Sequence, residues 1–431
     1  MMRVRPETRR WAESINPFFI ALPAYFACMA LPLAGLRTFA DYFTASYIVL
    51  VHRFQIAGVV VFSFAAAISL VIRGRRQLVV NGAMLLAWSV LIGWYGLSVF
   101  WSVNPVMTAV YVVVTTVVIA GCTIFWSQSN EAIEASASVA VIAIGLGMVY
   151  LASSLKLGER SFGGVTPNEI GHFGFAAIVL AYLSRKPAYI LGALAAGVAL
   201  IAFSQARTAL LALLLFLAMR HLVTPFITNR SRLVGACLLG GAGACVFVLV
   251  APALIDLASS FATRTLGVTD IARSSGSGFS GRERSWEIGR ALLSGHTLLG
   301  YGYRTRGSLD FGIGGIETNV HSGLLNAALD TGVLGCLGFI AVMMTATWSL
   351  LRSWAEARSE PDRLAGCFLV AMWPVLVVEG NYMNFAAPSS FLMTLFLAGA
   401  LTMRRTERVS AYTASEESGD GGESRRSPRT A

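Results

Sequence analysis

Residues 280–335 read SGRERSWEIGRALLSGHTLLGYGYRTRGSLDFGIGGIETNVHSGLLNAALDTGVLG. The stretch opens in the second half of a long polar interval. It closes inside an apolar segment that begins just after His321-Ser322-Gly323. A polar interval of this length between two apolar runs reads as a loop that leaves and re-enters a bilayer. From Ser259 to Val320 it carries seven arginines (264, 273, 282, 284, 290, 304 and 306), no lysine, and five acids (Asp270, Glu283, Glu287, Asp310 and Glu317). The arginine side chain presents a planar, permanently charged fork that fits phosphate oxygens two at a time. His321 stands where the loop meets the membrane and can accept a proton near neutral pH. The loop is therefore expected to handle an anionic, diphosphate-bearing, lipid-linked substrate.

The rest of the chain fits a membrane setting. Of 431 residues, 55% are hydrophobic and 13% charged, with a mean hydropathy of +0.66. Soluble domains carry about 25% charged residues. Continuous apolar runs, rather than alternation, exclude a β-barrel. The expected fold is an all-α polytopic membrane protein with about twelve transmembrane helices and one large periplasmic loop containing short helices. The spans are placed at 17–35, 55–73, 79–99, 106–126, 134–155, 169–183, 188–204, 208–226, 233–256, 322–351, 364–383 and 387–403. The segment 42–51, beside Asp41 and Arg53, is too short to span and reads as interfacial or re-entrant. The six cysteines all fall in apolar spans and read as small core residues, with no disulfide framework. The basic balance (31 Arg, 2 Lys, net +10) follows mostly from genome composition and cytoplasmic-loop charge.

Charge distribution sets the orientation. Counted from a cytoplasmic start, the inside segments hold Arg3, Arg5, Arg9 and Arg10, then Arg73, Arg75 and Arg76, then the Ser127-Gln128-Ser129-Asn130 turn, which alone lacks a basic residue, then Arg185-Lys186, Arg230 with Arg232, Arg352 with Arg358 and Arg363, and Arg404, Arg405 and Arg408. That is the positive-inside pattern, with both termini cytoplasmic. The organisation expected is a cytoplasmic tail over 1–16, nine spans within 17–257, a periplasmic loop over 258–321, three spans within 322–403, and a disordered cytoplasmic tail over 404–431. No cleavable signal pattern precedes the first apolar run, which reads as the first helix.

Several short motifs face the outer side by this count. Trp101-Ser102-Val103-Asn104-Pro105 fits an interfacial tryptophan and a helix-starting turn. The loop KLGERSFGGVTPNE (156–169) carries Lys156 and Arg160, a flexible Gly pair, and Pro167-Asn168 at the next helix start. Arg207, in Ser204-Gln205-Ala206-Arg207-Thr208, sits on a side where arginine is disfavoured, which suggests a task; a snorkelling side chain is the alternative. Ser280 with Glu283 forms a capping box for a helix over 281–293. Arg282, Trp286 and Arg290 would line up on it, facing either lipid phosphates or the substrate pocket. Gly300-Tyr301-Gly302-Tyr303 permits a tight turn or close backbone approach to a ligand. No ligand-spaced His/Cys cluster or Asp-x-Asp marks a metal site, and no nucleotide-binding Gly motif follows a strand.

Together these residues resemble the O-antigen ligase and polymerase superfamily of bacterial envelope glycosyltransferases. The matching parts are Trp101 to Pro105, Arg160 with Gly163 and Pro167-Asn168, Ser204 to Thr208, Gly281-Arg282 with Trp286, Gly300-Tyr-Gly302, and His321 opening a span that carries Thr331-Gly332-Val-Leu-Gly335. The resemblance implies transfer of a glycan from an undecaprenyl diphosphate carrier at the outer face of the inner membrane, with no cofactor, no metal and no nucleic acid. The acceptor would be lipid A–core for a ligase or a carrier-linked repeat for a polymerase. It implies two arginines and a histidine as essential residues, which fall on Arg207, Arg282 and His321. Arg160, Asn168, Trp286, Arg290, Tyr301, Tyr303 and Arg304 are candidate substrate contacts around them. The family histidine is often followed by Asn; here Ser322 follows, whose hydroxyl could orient the ring. A transporter or flippase for a lipid-linked sugar is the reading from another class. It would expect internal repeats and charge within the membrane; no repeat is visible, and Asp330, Glu379 and His172 are the main intramembrane polar residues.

Overall fold

The structure is a computed structural model that describes residues 16–34, 45–73, 80–152, 167–204, 206–224, 282–306, 320–355, 359–380, 382–383, 385 and 387–402. Among these the chain is helical throughout and forms no strand. In order the helices are α1 (Phe18–Ala34), α2 (Ala45–Arg73), α3 (Gly82–Leu97), α4 (Pro105–Trp126), α5 (Asn130–Ala152), α6 (Pro167–Ser184), α7 (Pro187–Ser204), α8 (Arg207–Leu217), α9 (Arg282–Ser294), α10 (Gly323–Ala355), α11 (Glu360–Val378) and α12 (Pro388–Gly399). Five segments are long and apolar enough to cross a bilayer: Gly82–Phe100, Pro105–Trp126, Asn130–Val149, Gly323–Arg352 and Glu360–Val378. The chain is a multi-pass membrane protein. Helices coincide with every expected span except 233–256, which lies outside the described residues, as do Arg160, Ser280 and the segment after 402.

Two expectations change. Residues 45–51 are not a separate interfacial segment; they continue without a break into α2. The span at 208–226 is an α-helix only to Leu217 and then widens into a π turn over Ala218–Val223.

Packing follows the distribution of apolar surface. Residues 170–181 of α6 and 388–400 of α12 are buried on every side, so these helices form the centre. On α3, α4 and α5 one face packs inward through residues such as Trp88, Phe125 and Ile133. The other face exposes Leu86, Val106 and Val149, as a lipid-facing helix does. Asn104 caps α4 by accepting from the Met107 amide at 3.1 Å, with Pro105 in the first turn, so the expected Asn-Pro start is present.

The most irregular backbone lies in α10. Thr331 and Gly332 leave helical geometry, with Gly332 at φ +70°. The carbonyls freed by this break are bonded from elsewhere. Tyr301 N donates to Leu329 O at 2.9 Å, Gly302 N to Asp330 O at 2.8 Å, and the Trp94 indole to Thr331 O at 2.9 Å. In return Val333 N reaches Thr297 O at 2.8 Å. Non-helical backbone at membrane depth persists only where protein groups satisfy it. A Cβ on Gly332 would lie 1.9 Å from the Leu298 carbonyl oxygen, and one on Gly300 would lie 2.4 Å from Gly332 N, so both positions require glycine. The Gly300-Tyr-Gly302 and Thr331-Gly332 motifs are thus two halves of one junction. Trp101 belongs to it as well: its indole donates to Leu299 O at 2.9 Å.

Candidate functional site

One carboxylate gathers the functional residues. Glu379 ends α11 and has left helical geometry. Its Oε2 accepts from Arg282 Nη2 at 3.0 Å, from Thr208 Oγ1 at 3.1 Å and from Asn168 Nδ2 at 3.4 Å. Its Oε1 lies 3.8 Å from His321 Nδ1. With Glu379 itself, these groups come from five segments, the outermost two 211 residues apart in the chain. Arg282 also donates through Nη1 to the Val378 carbonyl at the C-terminal end of α11, where a helix presents its negative pole.

Each contributor stands at the start of a helix. Asn168 lies in the first turn of α6, Arg207 and Thr208 begin α8, Arg282 begins α9, and His321 immediately precedes α10. Free amides and the positive poles of four helices therefore converge on this end of the bundle, together with the Arg282 guanidinium, and Arg207 begins α8 next to Thr208. Such an arrangement favours an anion. Burial alone would push the Glu379 carboxyl up, but the neighbouring His321 ring and the charges of Arg282 and His172 outweigh it and hold it at about 2. In this structure the carboxylate is the anion of the site.

His321 has φ +50°, a left-handed conformation that a non-glycine residue enters at a cost of about 1–3 kcal/mol. The surroundings hold it there: the Trp286 indole donates to its carbonyl at 3.4 Å, and Val320 N reaches Asn326 Oδ1 at 3.4 Å. The ring remains one-third exposed beside the carboxylate. A partly accessible imidazole with a buried carboxylate behind it can take a proton from a bound hydroxyl and keep the resulting charge balanced.

Residues 173–340 match the family model described as O-antigen ligase. Over that stretch the match supports the resemblance to the O-antigen ligase/polymerase superfamily. No curated protein matches it at a significant level. The matched stretch runs from α6 through the break in α10 and contains Arg207, Arg282 and His321. Asn168 and Glu379, which complete the cluster, lie on either side of it.

The ligase-family reading named Asn168, Arg207, Arg282, Trp286 and His321, and the structure gathers these at one end. Trp286 and Arg282 share a face of α9 that rests on the start of α10, where Gly289 packs against Val320 and Leu325. Arg290 does not join them and is exposed. Eight residues advance a helix by about 80° beyond whole turns, which carries Arg290 off the line of Arg282. Tyr303 is a correction. It has no exposed surface, stacks on Tyr95 with centroids 4.0 Å apart, and bonds Thr115 Oγ1 at 2.8 Å, so it is a core residue. Tyr301 donates to Leu292 O at 2.9 Å and Arg304 lies over the Tyr111 ring at 5.1 Å; both fasten the 297–306 segment. Ser322 does not orient the imidazole. Its hydroxyl accepts from Leu325 N at 3.4 Å and starts α10, and the acid beside the ring is Glu379. Glu379 was visible in the sequence only as an acid near the end of an apolar span; an acid there that must be paired was the available signal.

Proposed function

We propose that the chain is an inner-membrane glycosyltransferase that moves a glycan from an undecaprenyl diphosphate carrier to an acceptor hydroxyl, which is lipid A–core in the ligase reading. The site faces the periplasm in this account. The observation that carries the reading is the convergence of Arg282, His321, Thr208 and Asn168 on Glu379, with Arg207 beside Thr208, inside and around the ligase-like stretch.

A lipid-linked diphosphate is already a good leaving group. It needs positive charge where negative charge develops, and guanidinium groups supply that. Arg207 and Arg282 grip the diphosphate, helped by the helix N-termini around them. The acceptor oxygen attacks the anomeric carbon from the opposite side. The new C–O bond forms as the bond to phosphate breaks, and the hydroxyl proton passes to His321. Glu379 balances the imidazolium, and the carrier leaves as its diphosphate. One displacement inverts the anomeric centre. General-base assistance of this kind is worth about 10²–10⁴-fold.

The test is reconstitution of the purified protein with a polyprenyl diphosphate-linked glycan and a lipid A–core acceptor. Covalent transfer to the core with an inverted linkage supports the ligase reading. Elongation of carrier-linked glycan without transfer to core would assign the polymerase activity instead. Movement of donor between leaflets with no new glycosidic bond would refute both.

A further inference from the structure

His172 lies one turn beyond Asn168 on α6, so the two side chains share a face. That face meets Glu379: Asn168 bonds its carboxylate at 3.4 Å, and His172 lies within electrostatic reach of both Glu379 and Arg282. The helix is held close to the start of α8, because Gly171 leaves room for Ala206 and Ala209. The imidazole is 4% exposed, and neither ring nitrogen has a hydrogen-bond partner among the described residues. A buried polar group that has lost water without gaining a partner costs about 1–3 kcal/mol. An apolar side chain would be more stable there in this state of the molecule. A second state, in which the ring is bonded, accounts for its presence.

The chemistry of the site supplies such a state. Arg282 commits both arms of its fork inward, one N–H of Nη2 to Glu379 and one of Nη1 to the Val378 carbonyl. The same donors cannot serve a phosphate at the same time. When a diphosphate takes the fork, Glu379 is left buried and short of its closest cation. We propose that His172 is a positioning residue that receives Glu379 when the lipid diphosphate takes Arg282. In the donor-bound state a ring N–H of His172 donates to the carboxylate; in the resting state it waits unbonded. A neutral ring has one N–H to give in either tautomer, so the exchange requires no proton uptake. Glu379 thereby keeps its donors and stays beside His321 in both states. The inference rests on reading Arg282 as a diphosphate ligand.

The experiment is binding of farnesyl diphosphate to the purified full chain in detergent, with Arg282→Ala as the reference for site-specific binding. His172→Phe and His172→Met remove the N–H, and His172→Gln keeps a donor. The expected result is about tenfold weaker binding for the Phe and Met variants, equivalent to about 1.4 kcal/mol. Binding close to wild type is expected for His172→Gln, with melting temperatures of all three at or above wild type. Should the Phe variant fail to accumulate, the Met variant carries the comparison. Wild-type affinity in the Phe or Met variant overturns the role of His172 while leaving the diphosphate site standing. Binding by Arg282→Ala equal to wild type overturns the diphosphate reading itself, and this inference with it. Loss of affinity in all three His172 variants alike assigns the ring a packing role and overturns the exchange.

Discussion

Replacing Glu379 with Gln separates its two roles. The amide retains an oxygen that Thr208 and Asn168 can bond, but it removes the charge that Arg282 and His321 face. At the 3.8 Å between His321 Nδ1 and Glu379 Oε1, an imidazolium would gain about 4 kcal/mol from the carboxylate at an effective dielectric of about 20. One-third exposure of the ring reduces this, and about 2–3 kcal/mol is a reasonable net figure. That is lost only when His321 carries the acceptor's proton, so kcat is expected to fall roughly 30- to 150-fold. Arg282, released from its counter-ion, should grip the donor at least as well, and the donor KM should not rise. The assay is steady-state transfer from a polyprenyl diphosphate-linked glycan in proteoliposomes, with donor and acceptor varied in turn. A kcat within threefold of wild type, or a donor KM that rises while kcat holds, would refute the role given to Glu379.

The depressed pKa of Glu379 makes a linked prediction about stability. A carboxyl lowered from 4.5 to about 2 adds stability that is present above pH 4.5 and is lost as pH falls toward 2. At neutral pH this is worth about 3 kcal/mol, so Glu379→Gln should melt below wild type at pH 7, with the gap closing in acid. Arg282→Lys keeps a charge but not a fork that spans Glu379 and the Val378 carbonyl; at least a tenfold loss in kcat/KM is expected, and full activity would argue against two-point contact. Arg306 and Asp330 form a buried ion pair at 3.0 Å that fastens the 297–306 segment to α10. Arg306→Met alone should cost about 3–5 kcal/mol, and adding Asp330→Asn should recover most of it, read as thermal unfolding in detergent. Gly332→Ala should abolish folded protein in membranes, because its Cβ would enter the Leu298 carbonyl.

The sequence made some features readable and hid others for physical reasons. Apolar runs mark helices whatever packs against them, so described helices lie within a few residues of most of the expected positions. The helix at 281–293 appeared at Arg282–Ser294, since its register depends on local signals. The extension of α2 back to Ala45 was missed because Asp41 and Arg53 break the apolar run without breaking the helix. The GYG and TG motifs were each weak because their partner is the other's backbone, which no side-chain pattern announces. Tyr303 was misassigned for a related reason: a Gly-Tyr repeat does not say which tyrosine faces the core. Glu379 escaped because its four partners come from segments far apart in sequence. Arg207 and His321 stand out in the sequence as an arginine on the disfavoured side and a histidine at a membrane mouth, whereas Arg282 is singled out only by the resemblance.

The central claim is that the arginines at the starts of α8 and α9 and the imidazole before α10 act as one centre on a lipid diphosphate. The direct measurement is initial-rate glycan transfer by purified wild type, Arg207→Ala, Arg282→Ala and His321→Ala in the same proteoliposomes, with melting curves recorded alongside. The account predicts that each variant remains folded and loses at least about 10²-fold in transfer rate. Folded Arg282→Ala or His321→Ala protein that transfers glycan at the wild-type rate would contradict it.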